Sequence, residues 1–249
     1  MAQLLFYQNI VALNRERHAD LRLKPANGDC SFAADTHFVP IAGTEFYQAA
    51  PDYPILFAGD ADEPSPVALL GLTEGRNAFV NTDGRWRNGT YLPAFVRRYP
   101  FVLARGDEND PDNLTVCVDE SYAGLTRDVE QGEALFDSEG NQTPMLKRSM
   151  GFLQQYLAES ERTRDFVKKL IALDMLVRRD VQIIDAEGNR FVLRGFRVIE
   201  PRKLDGLDDE TIIELHQRGF LGWIHAHLVS MSRLERMPTD VQSRPAAAS

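Results

Sequence analysis

The sequence predicts an α+β fold, with a β-rich N-terminal half and helices plus a β-hairpin in the C-terminal half. Three observations carry this expectation. Residues 32–118 hold short apolar runs cut by proline and glycine, the pattern of brief strands and turns. After Thr143-Pro144, apolar residues recur at helical spacing,. Within that helical half, two apolar segments flank Asp185-Ala186-Glu187-Gly188-Asn189, which reads as a hairpin turn.

In chain order, residues 1–24 suggest a strand followed by a turn. Phe38-Val39-Pro40-Ile41, Pro54-Ile55-Leu56-Phe57 and residues 67–72 read as strands. Ala78-Phe79-Val80-Asn81 leads into Thr82-Asp83-Gly84, and Asp-Gly after a strand-like run signals a hairpin. Pro93 and Pro100 bracket a short helix, since proline suits a first helical position and ends what precedes it. Residues 101–104 and 114–118 flank an acidic turn. Thr143 caps a helix whose apolar face includes Met145, Leu146, Met150, Leu153 and Leu157, with a kink or re-cap expected at 160–164 before Phe166, Leu170 and Leu173,. Residues 181–184 and 191–194 form the hairpin. Asp208-Asp209-Glu210 places carboxylates at the positive end of a further helix,. Gly219 separates it from a last helix carrying Trp223 and Ile224. One domain over residues 1–249 is expected, with sub-cores at 1–140 and 141–237 and a frayed tail at 238–249.

The 249 residues are 43% hydrophobic and 26% charged, an ordinary globular composition. Such a chain buries roughly 70–75% of its unfolded surface and needs no disulfide or metal to fold. The net charge of −9 repels phosphate backbones, so nucleic acid is not an expected partner. Cys30 and Cys117 read as reduced thiols,. No secretory signal and no run long enough to span a membrane is visible. A cytoplasmic location is therefore expected, with peripheral association at the cell surface as its variant.

Catalytic signatures are sparse. No Gly-x-Ser-x-Gly elbow and no phosphate-binding glycine loop occurs,. His225-Ala226-His227 would place its imidazoles about 200° apart on a helix, so the pair cannot share one metal. His18-Ala19-Asp20 could open a facial triad for iron, but no distal histidine is suitably placed. No metal and no cofactor is expected.

The richest constellation is Arg85-Trp86-Arg87-Asn88-Gly89-Thr90-Tyr91, followed by Arg97-Arg98-Tyr99. Interleaved arginines and aromatics can hold an anionic group by bidentate hydrogen bonds with a ring stacked alongside. Arg85, Trp86, Arg87, Tyr91, Arg97, Arg98 and Tyr99 are thus the candidate ligand-binding residues. The alternative is structural: the aromatics belong to the core or its edge, and the arginines pair with acidic loops at 106–112 and 128–139.

From about Asn14 to Met237 the chain resembles the SapC family of bacterial proteins. The resemblance rests on His37-Phe38-Val39-Pro40-Ile41, on the continuous stretch from Trp86-Arg87-Asn88-Gly89-Thr90-Tyr91 to Tyr99-Pro100-Phe101, and on Gly132-Glu133-Ala134-Leu135-Phe136-Asp137. Phe196-Arg197-Val198-Ile199-Glu200, Leu215-His216-Gln217-Arg218-Gly219 and His225-Ala226-His227-Leu228 complete it. It implies association with a bacterial surface layer. It also implies gene neighbours such as outer-membrane receptors, flavin halogenase-like and cupin-like proteins, and hence an accessory role in nutrient uptake. It supplies no catalytic residues.

The resulting expectation is a non-catalytic binding or accessory protein with a protein partner or self-association, and with an anionic small ligand as an option. Its rivals are a metal-dependent, oxygenase-like enzyme using His18, Asp20, His37, His216 or His225, and a surface-layer component.

Overall fold

The structure, a computed structural model, describes residues 5–25, 28–60, 62–105, 114–184 and 190–237. In chain order its elements are β1 (Ile10–Ala12), β2 (Arg22–Leu23), β3 (Phe38–Pro40), α1 (Phe46–Ala49), β4 (Ile55–Ala58), β5 (Ser65–Leu69) and α2 (Ala94–Arg97). There follow β6 (Phe101–Arg105), β7 (Leu114–Asp119), β8 (Leu125–Thr126), β9 (Glu133–Ala134) and α3 (Pro144–Ala172). The chain ends in β10 (Leu176–Ile184), β11 (Arg190–Ile199), α4 (Pro201–Leu204), α5 (Asp209–Gln217) and α6 (Phe220–Ser230). The fold is α+β, with sheets in the N-terminal half and helices plus a hairpin after them.

The chain forms two compact units. The first comprises Met1–Asp29 and Val96–Ala158, the second Cys30–Phe95 and Glu159–Ser249. In the first unit, β7 lies between β1 and β6, and β2 lies between β8 and β9. All these pairings are antiparallel. The core joins Leu21, Phe101, Val118, Leu135 and Phe136 to Leu146 and Leu153 of α3. Burying side chains of this size contributes about 1.5–3 kcal/mol each.

In the second unit the strand order is β10-β11-β4-β5-β3. Phe57 of β4 packs near Phe166 of α3, with ring centres 6.5 Å apart. Phe166 also meets Phe46 of α1 at 6.1 Å, Phe220 at 5.2 Å and Trp223 at 5.3 Å, the last two on α6. Phe166 is fully buried, so the helices close over the sheet around one ring, and the offset and edge-on geometries are those aromatic pairs favour. Gly43 lies flat against the Trp223 indole: a Cβ there would sit 2.2 Å from its Cε3.

Several expectations are corrected in detail. Residues 78–81 form no strand, and only a single antiparallel bridge, Val80↔Trp86, marks the expected hairpin. No kink divides the helix at 160–164; α3 runs unbroken for 29 residues. Thr163 sits in that stretch and satisfies its hydroxyl locally, donating to Glu159 O at 2.6 Å and accepting Gly43 N–H at 2.8 Å. The hairpin strands are longer than expected, reaching back to Leu176 and on to Ile199, while its turn and the tail at 238–249 lie outside the described residues. Asp208 caps α5 by accepting Thr211 N–H at 2.8 Å. Gly219, with φ of 75°, makes the left-handed break between α5 and α6, a backbone region glycine enters freely. Cys30 and Cys117 are each buried, and neither is in a disulfide.

Candidate binding site

The arginine–aromatic segment is divided between the two units: Arg85, Trp86, Arg87 and Tyr91 belong to the second, Arg97, Arg98 and Tyr99 to the first. In the second unit the Asp83-Gly84 turn closes with Gly84 at φ 79° and Asn81 N–H donating to Arg85 O at 2.8 Å. This turn points Trp86 inward, where it is buried and stacks on Phe79 at 6.3 Å. Its Nε1–H is shared between the Tyr53 hydroxyl at 3.1 Å and Tyr91 O at 3.2 Å. The Tyr53 hydroxyl in turn donates to Tyr91 O, and burial raises its pKa further above the ordinary tyrosine value.

Tyr91 is tied at both ends. Its N–H donates to Asp52 Oδ2 at 2.7 Å and its hydroxyl to Glu45 Oε1 at 2.8 Å. Glu45 is buried and also accepts the N–H groups of Ala94 at 2.7 Å and Ala42 at 2.9 Å. One carboxylate therefore pins the end of the segment to the start of α1, as a buried charge requires. Trp86 and Tyr91 are thus both held by hydrogen bonds within the second unit. Arg85 stays exposed beside Asp83, 3.8 Å away.

In the first unit, consecutive arginines pack on successive turns of α3. Arg97 is exposed and lies over the Phe152 ring, 5.2 Å from its centre. Arg98 is half-buried, 5.0 Å from the centre of Tyr156 and 5.7 Å from that of Tyr7. Burial pushes the Tyr7 hydroxyl up to about 12 against the opposing pull of Arg98, and that hydroxyl donates to Phe101 O at 2.8 Å. Tyr99 donates to Asp119 Oδ2 at 3.3 Å; burial, then the carboxylate, raise its pKa. Asp119 is itself buried and accepts Gln8 N–H at 2.8 Å, Asn9 N–H at 3.0 Å and the Ser121 hydroxyl at 2.6 Å. Burial alone would raise its carboxyl, but these hydrogen bonds outweigh it and hold the pKa below the ordinary value,.

The first unit also holds an open cleft of about 720 Å³. Leu13, Val116, Phe136 and Met150 supply its apolar wall, and Arg15 and Lys147 its cations. Lys147 is in the first turn of α3, where the helix dipole adds to its positive field,. The sequence reading missed Arg15 and Lys147, because they lie 132 positions apart in the chain and no local motif links them. The usable signal was Thr143-Pro144, which marks the helix start beside Lys147.

A family model described as SapC matches residues 13–237 of the chain. The chain belongs to the SapC family. No curated protein and no solved structure gives a significant match.

In this SapC-family protein the histidines weighed as ligands have other engagements. His18 is fully buried: Asn14 N–H donates to its Nδ1 at 2.9 Å, and Nε2 faces Glu120 Oε1 at 3.1 Å. That contact, then Arg17 at 2.7 Å, holds the Glu120 carboxyl below its ordinary range. Asp20 pairs with Arg127 instead. His37 packs edge-on to Phe38, and burial lowers its pKa. His216 is exposed on α5, and His225 turns its Nδ1 toward Leu221 O at 2.7 Å. Among the described residues no three His, Cys, Asp or Glu side chains gather as a metal site would need, and no helix is long and apolar enough to cross a membrane.

Proposed function

We propose that this SapC-family protein is a non-catalytic binding protein that acts as an accessory factor, recognising an acidic group on a protein partner through the arginines of residues 85–101. The observation that carries this reading is Arg97, exposed yet steadied by the Phe152 ring at 5.2 Å. A guanidinium stacked on an aromatic face is already held in one orientation at the surface, so it loses less freedom on meeting a carboxylate than a loose side chain. Arg85, exposed beside Asp83, and Arg87 are the second unit's arginines of this segment, whereas Trp86, Tyr91, Arg98 and Tyr99 position the backbone that presents them. The family's surface-layer association favours work at the cell surface, in nutrient uptake, over a purely internal role.

The cleft favours a second reading, a small anionic ligand held by Arg15 and Lys147 with its apolar part against Phe136 and Met150,.

The test compares wild type with Arg97→Glu in quantitative affinity capture from native lysate, with thermal denaturation and metal analysis of the same samples. The expected result is a specific partner lost at least tenfold by the variant, with little change in Tm. A partner retained in full by Arg97→Glu removes the surface assignment. Stoichiometric metal with turnover moves the reading to the enzyme class.

A further inference from the structure

The β10–β11 ribbon is a basic arm on an acidic protein. Its strand residues carry Arg178, Arg179, Arg190, Arg194 and Arg197 against the single acid Asp180, while the chain as a whole carries −9; the connecting residues add Asp185 and Glu187 in sequence. Among the described residues, carboxylates offset only part of this charge. Arg178 stands directly opposite Arg197 in the antiparallel register, a like-charge pairing that weakens a sheet. Arg197 donates to Gly59 O and Asp60 O at 3.3 Å, and Arg179 pairs with Glu200 at 2.9 Å. Arg178 and Arg194 are exposed, and among the described residues neither has a carboxylate within ion-pair distance.

The ribbon also ends the sheet. β10 is the outer strand of the order β10-β11-β4-β5-β3, so along it the described residues leave a row of backbone N–H and C=O groups without a neighbouring strand. Opposite Asp180 the partner strand carries two residues, Arg194 and Gly195, and Gly195 has φ of 81°. This bulge twists the ribbon and re-aims Arg194. A free edge invites strand addition, and charge along it selects the occupant. A second copy pairing edge to edge would set Arg178 and Arg179 against their own kind. Nucleic acid has no peptide N–H and C=O groups with which to continue the strand ladder.

We propose that the free edge of β10 docks an extended acidic segment of a partner protein, which adds to the sheet as a sixth strand and places a carboxylate against Arg178, with Arg194 of β11 adding positive charge from the next strand inward. This surface is independent of Arg97, so either assignment can fail alone.

The test uses the full chain and fluorescein-labelled decapeptides of alternating Glu and Val, or of alternating Lys and Val, with a ten-residue oligothymidylate for comparison. Anisotropy is expected to show saturable binding of the Glu–Val peptide that weakens as salt rises. The double variant Arg178→Glu/Arg194→Glu should lower its affinity at least tenfold. The charge-matched control Arg148→Glu/Arg164→Glu, on exposed positions of α3, should leave it within twofold. Hydrogen exchange should show new protection at residues 176–180 when the peptide is bound. Equal binding of the Lys–Val peptide, tighter binding of the oligothymidylate, an unaffected double variant, or no added protection on β10 would each overturn the proposal. Should the double variant misfold, Arg178→Gln alone gives the same reading with a smaller loss.

Discussion

His227 Nε2 accepts the Ile199 N–H at 3.1 Å, joining α6 to the end of β11. Because that nitrogen accepts, the ring must be neutral. Burial drives its pKa down to about 4, with the unfolded value near 6.5. The unfolded chain therefore binds the extra proton first, and the neutral ring's contribution is intact above about pH 6.5 and lost as pH falls toward 4. The loss reaches about 3 kcal/mol. Urea unfolding of wild type and His227→Gln across this window checks it: the variant's stability should be flatter with pH, and parallel curves would count against the assignment.

Glu45 should be among the least replaceable polar residues. Glu45→Ala would leave the N–H groups of Ala42 and Ala94 and the Tyr91 hydroxyl without their acceptor. Unsatisfied buried groups cost about 1–3 kcal/mol each, so a loss of about 3 kcal/mol or more is expected in denaturant titration. Glu45→Gln retains one acceptor oxygen and should lose less.

The neighbouring arginines should separate cleanly. Arg98→Ala removes a half-buried stem and its contacts with Tyr7 and Tyr156, at about 1–3 kcal/mol. Arg97→Ala removes an exposed side chain and its contact with Phe152 and should cost less, about 1 kcal/mol. Differential scanning calorimetry of the two variants tests the order, and equal losses would contradict it.

Gly43→Ala should destabilise well beyond a surface change. The added methyl meets the Trp223 ring at 2.2 Å, and the indole is hemmed in by Phe166 and Phe220. Overpacking of this kind costs about 1–3 kcal/mol. A drop in Tm with a changed tryptophan emission spectrum is the expected signature.

The fold class was legible because its signals are local. Apolar runs between prolines gave β3, β4, β5 and the β6–β7 pair, and Thr143-Pro144 gave the start of α3. The 160–164 region misled because Ser160, Glu161, Arg162 and Thr163 look like a helix cap; in the structure Thr163 turns its hydroxyl back to Glu159 O and bonds Gly43. The parts of the hairpin far from its turn escaped notice because Arg178-Arg179-Asp180 and Gly195 break the alternation that marks a strand,. Within the candidate segment the sequence does not show which side chains turn inward and which stay exposed. Nothing near Trp86 or Tyr91 reveals that Tyr53 and Glu45, distant in the chain, are their partners.

Each unit is assembled from two separated stretches of chain, and α3 contributes to both. During synthesis neither can therefore close as its first half emerges from the ribosome. Residues 1–29 wait for 96–158, and residues 30–95 wait until the chain has passed position 159. Removing the last hundred residues would leave 30–95 without its completing half, and no single cut yields both units whole. Whatever protects Phe57, Phe46 and the free strand edges in that interval, whether speed of synthesis or a chaperone, belongs to the biology of this protein as much as its surface arginines do.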